Sequence, residues 1–280
     1  MRRLHVSRSL PPLVRRRALT LIELVVVIAI VVVLGGLLVR NLPNMMKRTH
    51  LAKCADTIWS LNTTWNESYS SNVRYPDVYD SLLASGGASI DPRLTAGLKS
   101  QVSAASLQAA DIAALRSVGI TRVVDLGNVA TGGSVTYDAA PYGAAARLLT
   151  DGGQVAQLDL AAHEAAGNVL QLNRHRLRQA DGSMADNRSN VRYLVFGVGP
   201  NCTAIGSGKR IQEAPTHFGA DDSINPTNVY QRYLVVFSLV TDATGAVTAN
   251  FESAAGNDVT GPSSGEAHIR QFHETASREG

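Results

Sequence analysis

The side chains able to do chemistry stand at unproductive spacings in this chain. His163-Glu164-Ala165-Ala166-Gly167 and His273-Glu274-Thr275-Ala276-Ser277 open like HExxH, in which two histidines one helical turn apart hold zinc and the glutamate serves as base. Gly167 and Ser277 occupy the position of the second histidine, so neither string puts two ligands on one helix face. Gly206-Ser207-Gly208-Lys209 ends like a phosphate-binding loop, yet Arg210 replaces the Ser or Thr that would hold magnesium and Thr203 replaces the opening glycine. It reads as a flexible loop. Asp221-Asp222-Ser223-Ile224-Asn225 offers hard oxygens of the kind calcium takes, but not at EF-hand spacing, and a solvated turn is the expectation. No GxSxG elbow occurs, and Cys54 lies on the packing face of a predicted helix. The expectation is therefore a protein without catalytic residues, resident metal or cofactor.

Cys54 and Cys202 are the two cysteines, too few for a disulfide framework or a four-cysteine zinc site. Either they form one bond, tying an N-terminal helix to the rest and adding about 2–4 kcal/mol by closing a long loop, or they remain two buried thiols. The basic residues Arg174, Arg176, Arg178, Lys209 and Arg210 alternate with Asp181, Asp186 and Glu213. That mixture describes a solvated face, with contact to a partner as the alternative.

The charge balance points to the N-terminus. The formal net charge is +3, but residues 1–18 contain six of the 26 basic residues and no acid, which leaves 20 basic against 23 acidic residues in the rest. The basic character belongs to a leader, and no nucleic-acid partner is expected. With 280 residues, 45% of them hydrophobic and 18% charged, the chain has material for a substantial core.

Residues 24–39 read LVVVIAIVVVLGGLLV, and from Ala18 the run is interrupted only by Thr20 and Glu23. About 20 helical residues span a hydrocarbon core of about 30 Å, so this segment has the length and apolarity of a membrane helix, expected over residues 19–40. Arg2, Arg3, Arg8 and Arg15-Arg16-Arg17 precede it, against Arg40, Lys47 and Arg48 after it, which places the N-terminus in the cytoplasm and the remainder across the membrane. The run is longer than a signal-peptide core and lacks a small-residue cleavage motif behind it, so the helix is expected to be kept. Glu23 within such a run either lies near the cytoplasmic headgroups, where it is tolerated, or pairs with a cation from another subunit.

Arg15-Arg16-Arg17-Ala18 followed by Leu19-Thr20-Leu21-Ile22-Glu23-Leu24-Val25-Val26-Val27-Ile28-Ala29-Ile30 closely resembles the leader and helix of type IV prepilins and type II secretion pseudopilins. The resemblance covers about residues 15–70, with Ala18 where the family usually has glycine and Leu19 where it more often has phenylalanine. It implies cleavage by prepilin peptidase between Ala18 and Leu19, N-methylation of Leu19, and a pairing of Glu23 with the Leu19 amine of a neighbouring subunit. It also implies partners: further copies of the chain, prepilin peptidase, and the inner-membrane platform and motor ATPase of an assembly system.

These residues must be positioned by a small set of elements. After Pro43, Leu51, Cys54, Ala55, Ile58, Leu61, Asn62 and Trp65 follow helical spacing, predicting an amphipathic helix over about 44–70, with softening at Gly35-Gly36 and a kink at Pro43. Residues 71–97 read as a loop, 103–118 as a helix stopped by Gly119, Thr121–Leu126 as a strand, and 154–166 as helical between weaker strands at Ser134–Tyr137 and Asn168–Leu172. Val191–Val198 and Val229–Val240 are β-rich, the latter turning at Asp242-Ala243-Thr244-Gly245 into Ala246–Phe251. The expected fold is α+β: a long N-terminal helix, transmembrane and then amphipathic, on a C-terminal antiparallel sheet, with an inserted helix-strand region. The corresponding segments are a leader at 1–18, the helix at 19–70, a periplasmic or extracellular head at 71–252 and a frayed tail at 253–280.

The functional expectation is a structural subunit, inserted in a bacterial inner membrane and polymerised through its helix into a pilus or pseudopilus. The large head fits a minor subunit that primes or tips the filament. The alternative from another class is an uncleaved, membrane-anchored exported domain with its own binding or enzymatic activity.

Overall fold

The β-rich runs near the C-terminus form the centre of the structure, a computed structural model that describes residues 21–84, 86–126, 146–166, 172, 175–178, 184–216 and 230–255. Strands β8 (Val191–Gly197) and β9 (Leu234–Thr241) pair antiparallel, with Leu194 opposite Phe237 and Phe196 opposite Val235. Both faces of this pair are covered. Leu194, Phe196, Val235, Phe237 and Leu239 belong to one buried cluster, and Tyr193, Val195, Leu234 and Val236 to a second. A strand covered on both sides reads as a continuous apolar run, which is why these segments stand out in the sequence.

The expected turn follows β9. Asp242 Oδ1 accepts the Thr244 and Ala246 N–H groups at 2.8 and 3.0 Å, and Gly245 takes φ +85°, the left-handed conformation that glycine adopts without strain. These hydrogen bonds, with that of the Thr244 hydroxyl, hold the Asp242 carboxyl below its usual range. The chain returns as β10 (Val247–Ala255), which runs past the expected Phe251 and bulges between Phe251 and Ser253. Residues 253–255, expected as tail, are therefore strand; 256–280 lie outside the described residues.

On its other side β8 meets two partners, so the sheet forks. Asp80 of β1 (Tyr79–Asp80) is opposite Gly197, and Gln157 of β5 (Gln154–Leu158) is opposite Leu194. From β1 the sheet continues through β3 (Arg122–Val124), which is parallel to β1, to β4 (Arg147–Leu148); β5 pairs with β2 (Val102–Ser106). These eight strands make one antiparallel-rich sheet, and β6 (Arg176–Arg178) with β7 (Met184–Asp186) forms a separate hairpin. Four α-helices are described: α1 (Leu21–Asn72), α2 (Ala96–Gln101), α3 (Ala109–Ser117) and α4 (Leu160–Ala165). The architecture is mixed α and β with a largely antiparallel sheet.

Two expectations need correction. The helix predicted over 103–118 begins only at Ala109, because Ala104 and Ala105 pair with Ala156 and Val155 in the β2–β5 ladder and the Gln108 N–H donates to Asp111 Oδ2 at 2.7 Å, starting a new helix there. The stretch 154–166 is likewise strand and then helix, divided at Asp159, whose Oδ1 caps Ala162 N–H at 3.0 Å. In both places small or uncharged residues lacked the period that separates strand from helix, and the acid marking the helix start was the available signal. Gly119 ends α3 as expected, at φ +98°, with Arg74 Cβ only 2.9 Å from where a side chain would begin. Residues 71–97 are largely irregular but hold β1 and a bridge between Leu83 and Ile90. The strand expected at 134–137 lies outside the described residues, as do 168–171.

Contact density divides the chain into two units, Met1–Arg48 and Thr49–Gly280. Within the second, the α1 residues Leu61 and Trp65 are fully buried in the cluster that covers one sheet face, with Ile58 packed at its margin. Trp65 donates its indole N–H to Tyr79 Oη at 2.9 Å and lies 6.4 Å from the Phe251 ring. Asn62 Oδ1 accepts Ala254 N–H at 2.8 Å and Tyr75 Oη accepts Phe251 N–H at 3.4 Å, so side chains occupy ladder groups on β10 that would otherwise form an open edge. Lys53, Asp56 and Asn66 are exposed, as amphipathic spacing requires. Trp65→Ala is expected to cost about 3–5 kcal/mol, while Trp59→Ala, at a site 49% exposed, changes stability by less than about 1 kcal/mol. Urea unfolding of the two purified variants checks this contrast.

Candidate functional site

The residues assigned to processing, Ala18 and Leu19, lie outside the described residues. Glu23 stands near the start of the described part of α1. Around it the apolar side chains are bare: Leu21 is 81% exposed, Val33 63%, and Leu24 through Ile28 each about half exposed. Burying a Val, Leu or Ile side chain is worth about 1.5–3 kcal/mol, so this surface is strongly disfavoured in water and calls for an apolar environment. Among the described residues no helix is long and apolar enough to cross a membrane; the apolar side chains that are described run from Leu21 to Leu34.

In the second unit the polar residues serve mainly to fasten loops. Asp77, just after α1, accepts the Thr121 and Arg122 N–H groups at 2.7 and 3.0 Å and the Thr121 hydroxyl, while its own N–H donates to Thr203 Oγ1 at 2.7 Å. It joins the start of the head to β3 and to the turn carrying Cys202. Asp125, buried after β3, accepts Ser81 Oγ–H at 2.6 Å and Arg147 Nε–H at 2.7 Å, and Arg147 also donates to the Gln154 carbonyl at 2.8 Å. Asp111 of α3 pairs with Arg192 of β8. Neither Asp77 nor Asp125 carries a motif at sequence level; the signal was only that each acid sits at the border of an apolar segment, where a cap or clamp belongs.

The strings that open like catalytic motifs have structural duties. His163 is buried, its Nδ1 2.8 Å from Gln101 Oε1, and burial lowers its pKa. Glu164 points elsewhere and pairs with Arg188 at 2.9 Å. Among the described residues no three His, Cys, Asp or Glu side chains gather as metal ligands. Of the loop Gly206–Arg210, Lys209 Nζ donates to the Thr203 carbonyl at 2.5 Å and Arg210 pairs with Glu67 of α1, so both cations tie the loop back to its surroundings. They border an open groove of about 450 Å³ lined also by Thr64, Arg74 and Tyr75. Arg176 lies at the start of β6 and Arg178 at its end. Arg174, His273 and Asp221-Asp222-Ser223-Ile224-Asn225 lie outside the described residues.

Cys54 and Cys202, the pair considered for a disulfide, are both buried and stand as thiols in this structure. Cys202 belongs to the core cluster with Leu61 and Trp65, whereas Cys54 lies about 10 Å back along the helix from Leu61, at roughly 1.5 Å per residue, and outside that cluster. Burial pushes the Cys202 thiol up to about 12. It is therefore expected to resist alkylation in the folded chain at pH 8 and to react once the chain is unfolded, and thiol titration of unreduced, unfolded protein is expected to find two thiols per chain; none would show a disulfide. No protein-family model matches the chain, and no curated protein or solved structure is significantly similar to it.

Proposed function

We propose that the chain is a prepilin-like structural subunit, held in a bacterial inner membrane with its N-terminus in the cytoplasm and its head in the periplasm. Prepilin peptidase cuts it between Ala18 and Leu19, and it polymerises through its N-terminal helix into a type IV pilus or type II secretion pseudopilus. The observation that carries this reading is the string Leu19–Ile30, in which one carboxylate, Glu23, interrupts an apolar run whose described side chains, from Leu21 on, are exposed. A transmembrane stretch over 19–40 gives that surface lipid before assembly, and neighbouring helices replace the lipid afterwards.

Glu23 then has a role that explains its position. A carboxylate costs about 2.5–3.5 kcal/mol at a bilayer centre, and a fixed cation at the terminus of the adjacent subunit offsets that cost only in one axial register. The new amine of Leu19 supplies such a cation once the leader is removed. The protein needs no catalysis of its own; its partners are further copies, prepilin peptidase, the platform and the motor ATPase. The packing of Leu61 and Trp65 against the antiparallel sheet supports the reading, because it attaches a head to the C-terminal part of the same helix.

In cells carrying the assembly system, Glu23→Gln is expected to leave membrane insertion and leader removal intact and to lower incorporation into sheared filaments by about tenfold or more, about 1.4 kcal/mol or more per subunit contact. Incorporation equal to that of the unaltered chain would overturn the assembly role of Glu23 and favour the anchored, unpolymerised alternative.

A further inference from the structure

Asp80 is the acid for which neither the fold nor the assembly reading has a use. It ends β1 with its side chain fully buried, Oδ2 accepting Tyr230 Oη–H at 2.7 Å. Oδ1 accepts no hydrogen bond among the described residues. The pair sits in a slot walled by bare backbone at the end of β8. A Cβ on Gly199 would lie 2.3 Å from Asp80 Oδ1, and one on Gly197 would lie 1.8 Å from Tyr230 Oη. Two glycines are thus needed for the carboxyl and the phenol to fit.

The charged and titratable groups around the slot come from the two segments packed on it. Tyr230 supplies the hydrogen bond, Arg232 attracts the carboxylate while its own guanidinium donates to the Ala214 carbonyl at 3.3 Å, and the Cys202 thiol faces it from the turn after β8. Tyr230 is itself fully buried, and its N–H donates to the Arg93 carbonyl at 2.8 Å just before the chain enters β9. A neutral carboxyl is adequately satisfied here. An ionised one, fully buried and accepting a single hydrogen bond among the described residues, is not, and it gains by any opening that admits solvent.

We propose that Asp80 and Tyr230 form a proton-operated latch: the neutral acid keeps the segment Tyr230–Tyr233 seated against β1 and the end of β8, and the ionised acid releases it. The device does not depend on the assembly reading. Burial raises the Asp80 carboxyl to about 6, against the pull of Tyr230 and Arg232, so ionisation falls within the range from mildly acid to neutral. The closed state holds its proton to higher pH than an opened state with an ordinary carboxyl. Opening therefore grows as pH rises from about 4 to about 6 and levels off above; between pH 5 and pH 8 the opening constant rises roughly tenfold.

Hydrogen exchange of the amide at position 230 in the full-length chain, corrected for intrinsic rate, tests the latch. Its protection is expected to fall roughly tenfold from pH 5 to pH 8 while amides of the β9–β10 ladder keep theirs, and Asp80→Asn is expected to abolish that pH dependence. Tyr230→Phe retains the acid without its hydrogen bond, and is expected to keep the dependence with lower protection at every pH. Equal protection at pH 5 and pH 8, a parallel loss in the β9–β10 ladder, or an unchanged pH dependence in Asp80→Asn would each overturn the proposal.

Discussion

The head is organised around Trp65. Its ring is wholly buried between α1 and the sheet, and its single polar atom is satisfied by the Tyr79 hydroxyl. Tyr79 stacks in turn on Phe196 at 5.4 Å and meets Phe237 edge-on at 5.8 Å, so one indole connects the helix to β1, β8 and β9. Burial holds the Tyr79 phenol well above its ordinary pKa, against the pull of the hydrogen bond that Trp65 donates to it. Aromatic pairs of this kind add about 0.5–1.5 kcal/mol each beyond the area they bury. The helix can then be amphipathic where it meets the head and uniformly apolar at its start.

That division is consistent with the proposed role. A subunit that polymerises through one end of a helix needs the other end immobilised on its head, or the energy of helix packing would be lost to internal motion. Leu61 and Trp65 are buried against the sheet, and the described side chains from Leu21 to Leu34 are exposed; in the proposed function the latter face lipid or other copies. Among the described residues of the head, Asp77 fastens backbone segments distant in sequence to the sheet, and Asp125 holds the side chains of Ser81 and Arg147.

Legibility in the sequence followed the strength of periodicity. Of the stripe Leu51, Cys54, Ala55, Ile58, Leu61, Asn62 and Trp65, the structure packs Ile58, Leu61 and Trp65 on the core and bonds Asn62 to β10, and the continuous apolar run of Val191–Val198 identified a strand covered on both faces. Where side chains were small, as at Ala104-Ala105 and Ala156, spacing could not distinguish strand from helix, and cross-strand pairing decided the outcome. Asp80 was illegible for a different reason. Its setting depends on Gly197, Gly199 and Tyr230, more than a hundred residues away, and nothing local to Tyr79-Asp80 announces it.

The proposed role turns on the N-terminus, and the decisive measurement is intact-mass and N-terminal analysis of the chain from membranes of cells with and without prepilin peptidase. A chain that begins at N-methylated Leu19 is expected when the peptidase is present, and one that retains the leader when it is absent. A full-length chain in both would contradict the proposed role.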